Sequence, residues 1–363
     1  MMRRCLTLAR RAAGYTSPNP LVGCVIVQGD HIVGEGYHPK AGEPHAEVFA
    51  LRAAGTKAQG ATAYVNLEPC NHYGRTPPCS EALIAAQVDT VVVGMVDPDP
   101  RVSGKGIERL RSAGIKVWVG VEEEACQRLN EAFVHRVRYQ RPFGILKYAM
   151  TLDGKIATKD GHSAWITNER ARTHVHELRA TCDAVIVGGN TMRLDNPHLT
   201  NHQSSPAEQA PPNPLRVVMS RTLNLPPKAY LWQTEVAPTL VLTQGDPAPE
   251  FQTYLQQQGV EVINLPKLTP QSAMAYLGER DLLSVLWECG GTLAAQAIAD
   301  GSVQKVLAFI APKIVGGQQA PSPVGELGFT KMTDAIKLER VQWHIVGEDC
   351  LVEGYLPRQI PSV

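Results

Sequence analysis

The 363-residue chain has no surplus of either charge, with lysine plus arginine and aspartate plus glutamate at 35 each. Without a basic field to meet a phosphate backbone, nucleic acid is not an expected partner. No apolar run approaches the roughly 18 residues that a membrane span needs, so no membrane role is expected either. Residues 1–11 carry arginines but no apolar stretch long enough for a signal peptide, and they read as an amphipathic helix with Leu6 and Ala9 turned inward. Eight cysteines in a chain of this length are too sparse for a disulfide framework. Cys5, Cys24, Cys126, Cys182, Cys289 and Cys350 read as buried, reduced thiols, and the cytoplasm is the expected compartment. No Gly-x-Gly-x-x-Gly fingerprint follows a strand, which leaves an ordinary Rossmann domain unsupported. There is no internal repeat.

What is present is a globular composition, 44% hydrophobic and 19% charged, in a chain long enough for two domains. The first part alternates strands and helices. Strands are expected at 22–28 and 31–34 around the Gly29-Asp30 turn, then at 63–67, 90–95 and 116–119. Helices are expected at 45–54 after Pro44, at 80–86, near 106–113, and as one longer element over 122–137. Arg141-Pro142-Phe143 breaks the pattern and sets the boundary, giving domains 1–142 and 143–363. The second part opens with a strand at 144–150 and a helix at 169–179 capped by Asn168. Further strands follow at 184–187, 216–219, 239–242, 260–264 and 284–287, with helices between several of them. That alternation predicts a mostly parallel, three-layered α/β domain. The polar, Pro-rich stretch 202–214 reads as an exposed loop.

The chemistry concentrates in two short strings, His45-Ala46-Glu47 and Pro69-Cys70 through Pro78-Cys79. One imidazole, two thiols and one carboxylate are the parts of a zinc site that activates water against an aminated ring carbon. Three protein ligands leave the fourth zinc position open, and the carboxylate can carry the proton. Cys70 follows a strand, and Cys79 immediately precedes a helix whose positive end favours thiolate. His45 and Glu47 fall in a helix's first turn, where residues two apart can both lean over the end. Two structural cysteines beside an unrelated histidine are the alternative, which the joint pattern outweighs.

The usual zinc-deaminase spacing is Pro-Cys-x-x-Cys, yet eight residues separate Cys70 from Cys79 here. With the insertion Asn71-His72-Tyr73-Gly74-Arg75-Thr76-Pro77-Pro78, the chain resembles the bifunctional deaminase/reductase family of riboflavin biosynthesis. Ser17-Pro18-Asn19-Pro20 with Val22-Gly23 is similar to that family's opening motif, and the likeness runs along essentially the whole chain. It implies an N-terminal cytidine-deaminase-like three-layer domain and a C-terminal dihydrofolate-reductase-like α/β domain. It also implies one Zn2+ on His45, Cys70 and Cys79, proton transfer by Glu47, and substrate contacts from Asn19, His38, His72 and Arg75. An amide suits a pyrimidine edge, and Arg75 suits a phosphate. A Pro-flanked turn for Asn19, a surface position for His38 and a loop-bracing role for His72 are the plainer readings.

The resemblance continues through Leu146–Ala157, Ser163–Thr167, Gly188–Thr191, Asp195–Pro197 and Trp287–Leu293, and implies NADPH as the second cofactor. Cofactor contacts are then expected from Met150, Trp165, Thr191 and Asp195, from Ser220 and Arg221 on a 2′-phosphate, and from Gly290, Gly291 and Thr292. The last three follow a strand and open a helix, where free N–H groups suit a pyrophosphate. Plain turns at 220–221 and 290–292, and a core position for Trp165, are the alternatives. Ser163, Arg179, Leu199 and His202 are expected at the substrate. Arg179 suits a phosphate, while His202 stands where some relatives are expected to carry arginine. Lys147, Asp195 and Glu288 are the candidates for polarising the opened ribose and delivering a proton; structural charges are their alternative. His174-x-His176 is rejected as a metal pair, because helical spacing of two points the rings apart.

The expected reaction is hydrolytic deamination of 2,5-diamino-6-(5-phosphoribosylamino)pyrimidin-4-one, then NADPH-dependent reduction of ribosyl to ribityl, by a homo-oligomer. Two rivals remain: a nucleoside or nucleic-acid deaminase with an unrelated second domain, and a C-terminal part that has become a dimerisation or NADPH-sensing module.

Overall fold

The computed structural model describes residues 1–73, 77–201 and 211–357. The chain divides into two compact units, Met1–Gln140 and Arg141–Val363.

The first unit is a five-stranded sheet in the order β2-β1-β3-β4-β5, built from β1 (Gly23–Gln28), β2 (His31–Tyr37), β3 (Thr62–Leu67), β4 (Thr90–Met95) and β5 (Lys116–Val119). β1 pairs antiparallel with both β2 and β3, and β3, β4 and β5 run parallel. Alternation along β1 sends its side chains into two cores. Cys24 and Ile26 join Ala46, Ala50 and Leu83 on one face, whereas Val25 and Val27 meet Met2, Cys5 and Leu6 on the other. Leu6 and Ala9 of the first helix are buried as expected. The helix Ala46–Ala54 lies so close to β2 that a Cβ on Gly36 would stand 2.5 Å from the Ala46 carbonyl oxygen and one on Gly34 2.2 Å from that of Ala50.

The helix expected over 122–137 is instead two, Glu123–Leu129 and Glu131–Tyr139, separated at Asn130. The Asn130 side chain is committed elsewhere: Oδ1 accepts the Leu21 N–H at 2.8 Å, and Nδ2 donates to the Leu21 carbonyl at 3.0 Å. Buried Asn66 adds a second clamp, accepting from Gly23 N–H at 2.7 Å and donating to Leu21 O at 2.9 Å. A periodicity argument sees apolar spacing, not this tertiary demand on one amide.

The second unit is a nine-stranded sheet in the order β10-β9-β8-β7-β11-β6-β12-β14-β13. Its strands are β6 (Phe143–Thr151), β7 (Ala184–Gly188), β8 (Leu215–Met219), β9 (Thr239–Gln244), β10 (Glu261–Leu265), β11 (Ser284–Trp287), β12 (Lys305–Ala311), β13 (Glu339–Val346) and β14 (Asp349–Tyr355). The run from β10 to β12 is parallel, and the hairpin of β14 and β13 adds antiparallel strands at one edge. Helices Pro270–Glu279 and Gly291–Ala299 bury Ala273, Met274, Leu277, Ala294 and Ile298 against it. Each large side chain so buried contributes about 1.5–3 kcal/mol. Asn168 does cap the helix Glu169–Thr181, accepting from Ala171 N–H at 3.0 Å.

All eight cysteines are free thiols. Cys5, Cys24, Cys126 and Cys182 are buried as expected, but Cys289 and Cys350 are only half-buried. Most of the 202–214 stretch lies outside the described residues.

Candidate zinc centre and reductase site

His45 is the N-cap of the helix Ala46–Ala54, with extended backbone angles, and Glu47 sits in its first turn. The opposite wall is the Cys70–Cys79 segment. Cys79 is the first residue of the helix Cys79–Ala85, one position further in than expected, with Pro78 as N-cap. The ends of the long insertion are pinned together. Cys79 N–H donates to the Cys70 sulfur at 3.3 Å, Ser80 N–H to the Cys70 carbonyl at 3.2 Å, and the Ser80 hydroxyl to Asn71 Oδ1 at 2.8 Å. Extra residues between the thiols therefore do not separate them.

His45 Nδ1 lies 3.5 Å from the Cys70 sulfur and 3.3 Å from that of Cys79. The three ligand atoms fall within 4.8 Å of one another, the only such cluster of metal-binding side chains among the described residues. A hydrogen bond from Cys79, reinforced by His45, holds the Cys70 thiol down at about 4, while the same shared bond and burial push the Cys79 thiol well up. Glu47 is 3% exposed, its Oε2 has no hydrogen-bond partner, and burial raises its carboxyl above the ordinary range. Two thiols, one imidazole and an orphaned buried carboxylate oxygen fit a catalytic zinc with three protein ligands and an open position. Zinc held there supplies water made acidic near neutral pH.

His38 meets His45 edge-on, with ring centroids 5.5 Å apart. His38 Nδ1 lies 3.0 Å from the Pro44 carbonyl, which can only accept, so this nitrogen carries the proton. Nε2 is then left to accept from Asn19 Nδ2 at 3.0 Å. Burial lowers the His38 pKa, consistent with a neutral ring. His38 is therefore not a surface histidine, and Asn19 both sits in a turn and reaches the site. His72 is exposed, and Arg75 lies outside the described residues.

Sequence reasoning missed Glu68. This buried carboxylate accepts N–H groups from Asp97 and Gly104 on one oxygen and from Gly106 and Ile107 on the other, at 2.9–3.3 Å. It ties the 97–107 segment to the strand end that delivers Cys70. A glutamate before Pro-Cys carries no signal that its partners are backbone groups some thirty residues on.

In the second unit several of the expected residues lie at the carboxyl ends of the neighbouring strands β8, β7, β11 and β6, where open parallel sheets bind ligands. Met150 lies near the end of β6, Gly189 and Thr191 follow β7, Ser220 and Arg221 follow β8, and Glu288 through Thr292 follow β11. Thr191 Oγ1 is 3.7 Å from where a Gly290 Cβ would stand, and Ser220 Oγ is 3.3 Å from the same point on Gly189. A Cβ on Gly291 would meet the Ser322 carbonyl oxygen at 2.6 Å. Gly290 is the N-cap and carries no capping side chain; Leu293 N–H turns back to its carbonyl at 3.1 Å, which leaves the Gly291 and Thr292 N–H groups for a ligand. Ser220 is buried, and Arg221 and Thr292 are exposed. Trp165 is 69% exposed, which removes the core reading and leaves a free aromatic face. These features fit a dinucleotide that carries a bridging pyrophosphate and one further phosphate.

Glu288 is the centre of a buried ion cluster. Arg179 grips it bidentately through Nε at 2.5 Å and Nη2 at 2.9 Å, and Lys147 Nζ is 3.4 Å away. Burial alone would raise its pKa, but the Arg179 and Lys147 charges hold it at about 2. Glu288 is thus a carboxylate at neutral pH, which counts against its role as proton donor. Arg179 also donates to the Thr200 carbonyl at 3.1 Å, so most of its fork is occupied within the protein. The Ser163 hydroxyl donates to Asp195 at 3.1 Å. Leu199 is buried at φ 53°, an unusual conformation for a branched residue. His202 lies outside the described residues. His176 Nδ1 is 3.1 Å from the Thr200 carbonyl and His174 packs edge-on to Phe309, so neither ring serves a metal cluster.

Comparison with known proteins agrees with both halves. Residues 142–352 match the family described as RibD C-terminal domain, and residues 1–95 match the cytidine and deoxycytidylate deaminase zinc-binding region. The riboflavin biosynthesis protein RibD of Synechocystis is 62% identical over 355 residues, covering 98% of this chain and 95% of that one. The solved structure of Acinetobacter baumannii RibD (form 1) aligns with a TM-score of 0.88 at 37% identity, over 98% of each chain. The Thermotoga maritima diaminohydroxyphosphoribosylaminopyrimidine deaminase/5-amino-6-(5-phosphoribosylamino)uracil reductase aligns at 0.87 and 37%, over 98% of this chain and 97% of that one. The molecule is a zinc-type deaminase joined to a reductase of dihydrofolate-reductase-like fold. The chain belongs to the RibD family, the bifunctional, zinc- and NADPH-dependent deaminase/reductases of riboflavin biosynthesis.

Proposed function

We propose that the deaminase domain, residues 1–142, converts 2,5-diamino-6-(5-phosphoribosylamino)pyrimidin-4-one and water to 5-amino-6-(5-phosphoribosylamino)uracil and ammonia. Residues 143–363 then reduce ribosyl to ribityl. The observation that carries the first step is the His45, Cys70 and Cys79 triad beside a Glu47 carboxylate oxygen with no partner. Glu47 takes the proton from the attacking water and returns it to the departing amine. The Asn19–His38 pair presents fixed polar edges to the pyrimidine, with His72 and Arg75 reaching in from the insertion.

In the second domain NADPH, when bound, supplies hydride to C1′ of the ribose. Trp165, Thr191, Ser220, Arg221 and the 290–292 turn hold the cofactor, with Met150 and Asp195 beside it. Lys147, fixed by Glu288, delivers the proton to the ring oxygen as the ribose opens, and Asp195 orients Ser163 toward substrate. Glu288 acts as the fixed anion of this site. The Arg179 N–H groups not taken by Glu288 and Thr200 serve the phosphate, with Leu199 and His202 lining the same subsite.

We infer a homo-oligomer working in the cytoplasm. β13 is a sheet edge that exposes Trp343 and Ile345 on one face, the kind of edge that pairs with a second copy. Eight free thiols suit a reducing compartment. No helix among the described residues is long and apolar enough to cross a membrane.

Mass analysis of the products tests the two-step reading. Without NADPH the diaminopyrimidine should stop at the deaminated ribosyl product, and with NADPH it should reach the ribityl product. Deamination without reduction at saturating NADPH would remove the second activity and favour a sensing or dimerisation module.

A further inference from the structure

Trp165 projects an exposed ring but is not loosely held. The Arg172 guanidinium lies over the ring, 4.5 Å from its centroid, and Arg172 Nη1 donates to the Thr167 carbonyl at 2.9 Å. Lys313 Nζ donates to the Trp165 carbonyl at 2.7 Å. The Lys313 segment is itself anchored: Leu152 N–H donates to the Lys313 carbonyl at 2.8 Å, and Asp153 accepts N–H groups from Val315 at 3.2 Å and Gly316 at 2.7 Å. The Thr151 hydroxyl orients that aspartate at 2.6 Å. Two cations from distant parts of the chain thus converge on one tryptophan, one on its ring and one on its backbone.

A solvent-facing indole held only by its own backbone would sample several rotamers. Here one ring face is backed by a cation that also braces the Thr167 carbonyl, and the other face is left for a ligand. We propose that Arg172 and Lys313 are positioning residues that hold Trp165 as a preformed platform for the dinucleotide cofactor. The proposal rests on the reading of Trp165 as a cofactor contact. Neither cation need touch the cofactor. Arg172 fixes the ring by cation–π attraction, and Lys313 fixes the 165 backbone to the clamped 313–316 segment. Preorganisation of this kind shows in cofactor affinity and not in the chemical step.

The test uses the full-length, zinc-loaded enzyme, with NADPH binding followed by its fluorescence and by energy transfer from indole. W165A establishes the underlying reading. R172Q keeps an amide donor for Thr167 but drops the charge over the ring, and R172K restores a cation. R172Q should weaken NADPH binding by about two- to thirtyfold, the range expected for a lost cation–π contact. Its kcat at saturating NADPH should stay within about twofold, deamination should be unchanged, and R172K should recover most of the affinity. K313M should weaken NADPH binding in the same direction. If W165A weakens binding while R172Q and K313M do not, the positioning role is wrong. If W165A leaves NADPH binding unchanged, Trp165 is not a cofactor contact and the inference falls with that reading. Equal loss in R172Q and R172K would also overturn it, since a cation would then not be the feature that matters.

Discussion

The backbone N–H of Cys79 donates to the Cys70 sulfur at 3.3 Å, across an insertion eight residues long. One helix start thus serves as both a ligand and the donor that stabilises the other ligand. The Cys79 thiol, His45 and this backbone bond together hold the Cys70 thiol down.

Glu47→Gln should keep zinc but lose deamination by several orders of magnitude, because the amide preserves shape and cannot shuttle a proton. Metal analysis beside single-turnover deamination checks this, with NADPH-dependent reduction of the deaminated intermediate as the internal control. Cys70→Ser should instead lower zinc content and the unfolding temperature of the first unit, since ligand loss removes coupled folding energy. Full activity in Glu47→Gln would overturn the proton-shuttle assignment.

Asn130→Ala should raise KM for the diaminopyrimidine more than it lowers kcat. The substitution frees the Leu21 N–H, two residues from Asn19, and leaves Asn66 as the remaining clamp on the Leu21 carbonyl. A buried N–H without its acceptor costs about 1–3 kcal/mol, so a lower denaturation midpoint is expected as well. Unchanged KM would show that the clamp does not govern the pocket.

Lys147→Met should reduce kcat for reduction by about 10²–10⁴, the usual contribution of a positioned proton donor. NADPH affinity should change little, because the lysine contacts Glu288 and not the cofactor cradle. Deamination measured in the same sample reports whether the protein is intact.

Acid should weaken the second unit over a defined window. The Glu288 pKa is depressed in the fold from 4.5 to about 2. Between those values the unfolded chain binds the proton and the folded one does not, so stability rises with pH across the window and is lost as pH falls through it. Thermal scans from pH 5 to about 2 should show this slope, and it should flatten in Glu288→Gln. An equal slope in the variant would assign the acid sensitivity to other carboxylates.

The deaminase site was legible because its signals are short and local. His45-Ala46-Glu47 and the two Pro-Cys pairs announce their residue types within a few positions, and capping geometry follows from Pro44 and Pro78. The reductase site was less so, because its residues come from the ends of four strands and only the sheet order brings them together. Spacing leaves Glu288 as one of three candidates for polarising the ribose and delivering a proton, with a structural charge as the alternative, because the grip of Arg179 comes from 109 positions away. The helix break at Asn130 failed for the same reason, since its cause lies in the backbone of Leu21. Segments 305–311, 339–346 and 349–355 also went unnamed as strands, and one of them, β13, is exposed along nearly its whole length.

Gly34 and Gly36 let a strand touch the backbone of the helix that His45 caps. The consequence is mechanical. The backbones of a metal ligand and the proton carrier ride on one strut that has no room to slide, so their spacing is fixed as a unit. Adjustment of the pocket to a different ring is left to the Asn19 turn and to the opposite jaw between Cys70 and Cys79, whose two ends are pinned to each other.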